Sequence, residues 1–390
     1  MVMEGIVVEN KLNKPIKVES VTKFLDCIIE GRKQKQEQKQ YNFYYRGENA
    51  KFSYRTPNLY REEELVREGS EYYYRSLLNE LGRTDYKDGS SLFQLLSELQ
   101  HYGAKTRMLD ITSNPLVALY FATEEGRDGD DGYVYLFREE KDKEKFDTGH
   151  TIAIKSALNL ISQNKINTFL MILTEIDDYL SNSCGIYGCL LYNNVEELIE
   201  NVESWEDFFT IYEEELRFIN LPIDNIVKTQ EEYDSIYYEF TINIEKRQEI
   251  LKAILKRILS EFLDLLTQRA KTNEELKYPF RIFRDLLDSH IVLSSKRTER
   301  LRQQQGAFIY PCFTNTSKNF SKIPLENIKE IIHNSIMTKS ARLNYQEQEY
   351  THIVIPKDKK KVIQEQLALI GIDAGFIYPD IKHRSEALLN

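Results

Sequence analysis

The sequence predicts an α+β fold in which strands from both ends of the chain form one mixed sheet, interrupted by a large helical insertion. Three observations predict it. Short runs rich in β-branched and aromatic residues, at 42–46, 133–137, 307–313 and 350–355, read as strands. Between about 155 and 290 the pattern is helical, with Ile250, Leu251, Ile254, Ile258, Leu259, Phe262, Leu265 and Leu266 at helical spacing and few Gly or Pro. Three polar clusters, one of them beyond the insertion, must converge if they form a single site. The chain divides accordingly into an N-terminal segment (1–40), a first part of the sheet domain (41–150), a helical insertion or second domain (151–295) and a closing part (296–390).

The elements follow from local chemistry. Residues 2–17 read as a short strand with turn residues, and the Gln-rich tract 32–40 as a solvated helix end or loop. A strand over 42–46 should end at Gly47. The charged stretch 62–81 with scattered apolar positions is helical. Ser90 and Ser91 can cap the next helix, whose Leu92, Leu95, Leu96 and Leu99 form one apolar stripe, and Gly103 supplies a left-handed stop. Thr112-Ser113-Asn114-Pro115 is a helix start, with polar caps before a Pro whose missing N–H costs nothing there. The helix behind it, 116–123, is almost wholly apolar and should be buried. An acidic turn at 126–132, a closing helix at 359–370 and its terminating Gly371 complete the reading.

Composition bounds the function classes. Hydrophobic residues make up 41% and charged residues 29%, which is ordinary for a globular protein. A net charge of −10 argues against general nucleic-acid or anionic-membrane binding, though one local basic groove remains compatible with it. Tyr is abundant (25 residues) and suits wet pockets as well as cores. Cys27, Cys184, Cys189 and Cys312 form no C-x-x-C pair, and with six His they argue against a zinc site; reduced thiols are expected. No secretory signal and no apolar run near ~18 residues is present, so a cytoplasmic location is expected.

Three clusters can carry chemistry. In Tyr44-Tyr45-Arg46-Gly47, an Arg at a strand end points a planar five-donor fork at the sheet edge, and the Gly permits close approach of backbone or ligand. A strand-end salt bridge is the plainer explanation. The second cluster is denser: Gln100-His101-Tyr102-Gly103, Thr106-Arg107-Met108-Leu109-Asp110 and Thr112-Ser113-Asn114-Pro115. It packs donors between two apolar helices, where functional groups concentrate; capping and a satisfied core histidine account for part of it. The 104–114 loop should wall the main pocket opposite Arg46. Arg107, Asp110 and Asn114 should face inward or brace the wall, and Arg107 and Asp110 could pair with one another. The third cluster, Arg300-Leu301-Arg302-Gln303-Gln304-Gln305-Gly306, enters a strand with an amide beside a close backbone approach. No nucleophile elbow, zincin helix or P-loop occurs, and His101 has no Ser or Cys partner in the sequence.

Together these clusters resemble the FRG domain, a family marked by an aromatic-Arg-Gly motif. The matching segments are Tyr45-Arg46-Gly47, LQHYGAKTRMLDITSNPLVALYFA (99–122), GYVYLF (132–137), RLRQQQGAF (300–308) and IVIPKDKKKVIQEQLALIGIDAGFIYPD (353–380), the last resembling a closing strand-helix-strand. The pattern is also distantly similar to mono-ADP-ribosyltransferases. That likeness implies a mainly antiparallel sheet core and NAD as substrate, without a metal. Arg46 then corresponds to the arginine that holds the NAD phosphates, and Thr112-Ser113 to the Ser-Thr-Ser strand. Where the transferases place a catalytic Glu, this chain offers Gln305. Glu349, in Glu347-x-Glu349, is the other candidate, although surface Glu pairs often arise without function.

The resemblance implies Arg46, Gln305 and Glu349 as catalytic positions. The nucleotide-binding set is Tyr45, Arg46, Gly47, His101, Tyr102, Arg107, Asp110, Thr112, Ser113 and Asn114. It further implies an ADP-ribosyltransferase-like or NAD-glycohydrolase-like toxin or anti-phage defence effector with a protein or nucleic-acid target. The alternative is a non-catalytic module that binds a nucleotide, nucleic acid or phage component. A nuclease-like enzyme is weakened by the lack of metal-ligand spacing.

Overall fold

The computed structural model describes residues 15–33, 40–82, 86–87, 89–126, 129–184, 194–201, 244–318, 321–380 and 385. Its strands are β1 (Ile16–Lys17), β2 (Tyr41–Glu48), β3 (Leu109–Thr112), β4 (Gly132–Glu140), β5 (Lys145–Phe146), β6 (His290–Leu293), β7 (Gly306–Tyr310), β8 (Ser317–Lys318), β9 (Ser321–Lys322), β10 (Leu343–Tyr345), β11 (Gln348–Tyr350) and β12 (His352–Ile355). Eight of them form one sheet in the order β1-β12-β4-β2-β3-β7-β6-β5. Pairing is antiparallel except at the two outer pairs, β1 with β12 and β5 with β6. Strands from before and after the insertion therefore share one mixed, mainly antiparallel sheet, as expected. β8–β9 and β10–β11 are separate hairpins.

Side-chain alternation fixes the register. On β2, Phe43 and Tyr45 face one apolar layer and Tyr44 the opposite one; on β4, Val134 and Leu136 oppose Tyr135 and Phe137 in the same way. A slip of one residue would invert both sets. β2 and β4 pair along eight residues, from Tyr41–Glu140 to Glu48–Tyr133. β2 and β3 pair only at Tyr45–Thr112.

The helix Pro115–Thr123 is as buried as its sequence implies. Asn114 caps it, Oδ1 accepting from Leu116 N–H at 3.0 Å, with Pro115 in the first turn. It lies directly on the sheet because two glycines allow it. A Cβ on Gly47 would stand 1.9 Å from the Ala118 carbonyl oxygen, and one on Gly132 2.1 Å from that of Ala122.

The insertion supplies the helices His150–Ala157, Gln163–Cys184, Val195–Asn201, Ile244–Ala270 and Pro279–Leu287. Their apolar stripes fuse with one face of the sheet into a single core. Phe169 stacks on Phe262 with centroids 4.2 Å apart, and Phe93 meets Phe308 of β7 edge-on at 5.8 Å. Lys155 is buried there, its ammonium bound to the carbonyls of Asp288 and Pro311.

Several local expectations change. β2 runs past Gly47 to Glu48, because β4 continues opposite it. The helix Gly89–His101 starts before Ser90 and Ser91, so neither caps it. The stretch 62–81 is two helices, Glu63–Arg67 and Glu71–Glu80. The run 350–355 breaks at Thr351 between β11 and β12. After the helix Lys360–Leu369 the chain forms a short helix, Ala374–Ile377, rather than a strand, with Asp373 capping it through Phe376 N–H. Cys27 and Cys312 are buried free thiols. Cys189, the side chain of Cys184, and parts of the 2–17, 32–40 and 126–132 segments lie outside the described residues.

Candidate functional site

A cavity of about 620 Å³ lies on the sheet face that carries Tyr45, Gly47, Asp110, Thr112 and Phe308. The helix Gly89–His101 walls one side through Gln94, Leu95, Glu98, Gln100 and His101; Thr298, Arg300, Leu301 and Gln304 wall another. Phe121 projects from the helix Pro115–Thr123, and Ser294, Ser295 and Arg297 follow β6. Its size falls within the ~300–1,000 Å³ common to small-molecule sites. Four permanent cations line it (Arg46, Lys87, Arg297 and Arg300) against two carboxylates, Glu98 and Asp110. In a chain of net charge −10 this is a local reversal of sign.

Arg46 occupies the gap where β2 and β3 separate. Beyond the Tyr45–Thr112 pair its guanidinium replaces the ladder, Nη1 donating to the Asp110 carbonyl oxygen at 2.8 Å. Nε donates to Glu48 Oε1 at 3.0 Å, and Glu48 is in turn 3.5 Å from Arg55 Nε. The plainer strand-end salt bridge therefore exists, and Arg46 is also one of the residues that line the cavity.

The Asp110 carboxylate opens to the cavity but is surrounded by protein. Desolvation raises its pKa, opposed by Arg46, the Gln100 bond and Arg300. Gln100 Nε2 donates to it at 2.8 Å. The amide is oriented by Thr106, whose hydroxyl donates to Gln100 Oε1 at 2.5 Å, while Asn58 Oδ1 accepts from Thr106 N–H at 2.7 Å. This chain of bonds fixes the floor of the cavity.

The other expected positions divide. Tyr45, Gly47, His101 and Thr112 line the cavity with Arg46 and Asp110. His101 is exposed at the rim, and desolvation followed by the Arg300 charge lowers its pKa. Thr112 Oγ1 donates to the Gln304 carbonyl at 2.5 Å. Ser113 bonds Gln305 outside the lining, and Asn114 is occupied as a cap. Tyr102 is 77% exposed and does not line the cavity.

Arg107 faces away. It is buried between Tyr60 and Phe313, donating to Tyr60 Oη at 3.4 Å and Gln163 Oε1 at 3.3 Å, so it braces the loop without pairing with Asp110. Gln305 does not line the cavity; its neighbour Gln304 does, and Gln304 Nε2 is committed to the Ile377 carbonyl. Glu349 sits in the β10–β11 hairpin, near Arg342 at 3.8 Å, and also lies outside the lining. Its turn is made by Gln346 and Glu347, both at positive φ, so the Glu-x-Glu pattern is a hairpin turn. Sequence reasoning missed Glu98, Arg297 and the Ser294–Ser295 pair. The signal for Arg297 and the two serines was the polar SSKRT run directly after a strand; Glu98 lies instead in the helix Gly89–His101.

Among the described residues no helix is long and apolar enough to cross a membrane, and no group of three or more His, Cys, Asp or Glu could hold a metal ion. No curated protein and no solved structure matches the chain. Residues 41–131 match the family model of the FRG domain. That span runs from the start of β2 through Arg46, Asp110 and the helix Pro115–Thr123, so it holds the cavity floor, while 300–308 and 353–380 lie beyond it. Over residues 41–131 the chain is thus similar to the FRG domain.

Proposed function

We propose that the cavity binds a nucleotide and that its substrate is NAD, cleaved between nicotinamide and ribose in an ADP-ribosyltransferase-like or NAD-glycohydrolase-like reaction. The observation that carries this reading is the Asp110 carboxylate on the floor of a cation-lined cavity, held by Gln100 and flanked by Arg46. Arg46, Arg300 and Arg297 suit a pyrophosphate, because guanidinium forks match phosphate oxygens. As the C1′–N bond of NAD breaks, its electron pair leaves with nicotinamide and positive charge grows on the ribose. An ionised Asp110 stabilises that charge. Water or a side chain of a target then attacks C1′ and loses its proton.

Asp110 takes the role that Gln305 and Glu349 were expected to fill, since neither lines the cavity. In this reading the activity serves a toxin or anti-phage defence effector with a protein or nucleic-acid target, the role that the family resemblance implies. A second reading, a non-catalytic nucleotide-binding module, is favoured by the absence of those two residues from the lining.

Incubation of the purified protein with labelled NAD, with and without cell lysate, followed by mass spectrometry, separates the two. Released nicotinamide or ADP-ribosylated product that disappears in Asp110→Asn supports the enzyme. NAD binding by calorimetry without turnover supports the module, and no binding of NAD overturns both.

A further inference from the structure

A second cavity, of about 450 Å³, opens on the opposite face of the sheet. Tyr133 and Tyr135 project into it from β4 with rings 6.2 Å apart and 14° from parallel. His352 of β12, paired with Tyr135 across the ladder, tilts against both rings at 6.1 and 5.4 Å. Arg55 lies 3.5 Å over the Tyr135 ring, and Lys17 and Lys51 stand exposed in the lining. The acid in the lining, Asp131, accepts from Lys357 N–H at 2.9 Å.

We infer that this second cavity binds a nucleotide unit, the base against the Tyr133–Tyr135–His352 wall and a phosphate between Lys17 and Lys51. Flat aromatic walls beside cations are what a base and its phosphate require together, and neither alone selects this class. An acidic peptide would use the lysines and leave the rings without a purpose. Arg55 already covers Tyr135, so the partly exposed Tyr133 offers the open ring. His352 has its pKa lowered by desolvation and by the nearby Arg55 and Lys51, and stays a neutral ring suited to stacking.

The two cavities are joined. Arg55 Nε and Glu48 Oε2 are buried without a hydrogen-bond partner at 3.5 Å, and the other oxygen of Glu48 holds Arg46. A ligand that draws Arg55 away from Glu48 frees that carboxylate to hold Arg46 more tightly. Occupancy of the second cavity is therefore coupled to the first through one carboxylate.

Fluorescence anisotropy with a labelled ten-nucleotide single strand, and competition by AMP, tests the site. Tyr133→Ala and the double variant Lys17→Glu/Lys51→Glu should each weaken binding about ten-fold or more, and Tyr133→Phe should retain it. Arg300→Ala, a lesion of the first cavity, should leave the Tyr133-dependent share of the binding in place. AMP competing at similar concentration identifies a free nucleotide as the source. An oligonucleotide that AMP cannot displace identifies a nucleic acid. The inference is overturned if neither probe binds, or if binding survives both Tyr133→Ala and the double lysine variant, with circular dichroism showing each variant folded. Failure here leaves the NAD reading standing, because Tyr133, Lys17 and Lys51 are not among the residues lining the first cavity.

Discussion

Arg46 donates to the backbone oxygen of Asp110, 2.8 Å across the place where β2 and β3 part. One bond thus closes the sheet and sets a cation beside the only Asp among the described residues of the cavity lining. Arg46→Ala should abolish nucleotide binding or turnover. The side chain is 24% exposed and Glu48 keeps Arg55, so the cost in stability should be only about 1 kcal/mol. Arg46→Lys should recover little, because a single ammonium cannot serve Asp110, Glu48 and a ligand at once. A melting point lowered by many degrees in Arg46→Ala would assign the residue to the fold instead.

Arg107 and Asp110 are three residues apart and act independently. Arg107 is packed between Tyr60 and Phe313 with its Nε unpartnered, whereas Asp110 bonds Gln100. Arg107→Ala should cost roughly 3 kcal/mol by opening the core, and Arg107→Met less, since it keeps the packing. Asp110→Asn should change stability little and function greatly. In a double-mutant cycle the stability coupling should stay below about 0.5 kcal/mol. A coupling well above that value would mean the two side chains meet.

Acid should weaken the fold through His333. Its Nδ1 accepts from Arg55 N–H at 3.1 Å, which requires a neutral ring, and desolvation with the Arg55 charge lowers its pKa to about 4 from 6.5. Between those values the unfolded chain binds the proton and the folded chain does not. The stabilisation is complete above pH 6.5 and is lost as pH falls toward 4. His290, lowered to about 3 chiefly by burial, acts in the same direction. Urea midpoints from pH 7.5 to 4.5 should fall for the wild type, and less steeply for His333→Asn, whose amide oxygen can replace Nδ1. Equal slopes would remove His333 from the explanation.

What the sequence disclosed was local. The strands around Tyr45, Tyr135, Phe308 and Ile353, and the Asn114-Pro115 helix start, follow from alternation and capping that neighbouring residues decide. The placement of β3 between β2 and β7 depends on pairings across nearly 200 residues, which no local pattern encodes. The placement of Gln305 and Glu349 outside the cavity lining has the same origin. Gln305 and Glu349 were nominated by order along the chain, but position relative to the cavity is set by the turn at Gln346 and Glu347 and by which strand face each residue occupies. Asp110 was singled out as a nucleotide contact, wall or brace, and its setting emerges only where Gln100 and Arg46 converge on it.

The glycine of the aromatic-Arg-Gly motif makes the sharpest test, because the sequence leaves it two uses, backbone or ligand approach, and the structure shows the first. Read as sequence, Gly47 lets a ligand or backbone approach the strand. In the structure the approach is already taken: a Cβ there would stand 1.9 Å from Ala118 O and 2.7 Å from Ala122 N. Both contacts are helix backbone, so no rotamer change relieves them, and the helix Pro115–Thr123 would have to lift from β2. Gly132 on β4 meets the same helix, 2.1 Å from Ala122 O. Gly47→Ala should therefore destabilise by about 3 kcal/mol, and Gly132→Ala by a similar amount in the same direction. Because Arg46 precedes Gly47 and Thr112-Ser113-Asn114 leads into the displaced helix, ligand binding should fall with stability. Thermal unfolding of the two variants beside a nucleotide titration decides it. If Gly47→Ala melts like the wild type and loses only binding, the glycine serves the ligand, and the packing of helix on sheet is not what requires it.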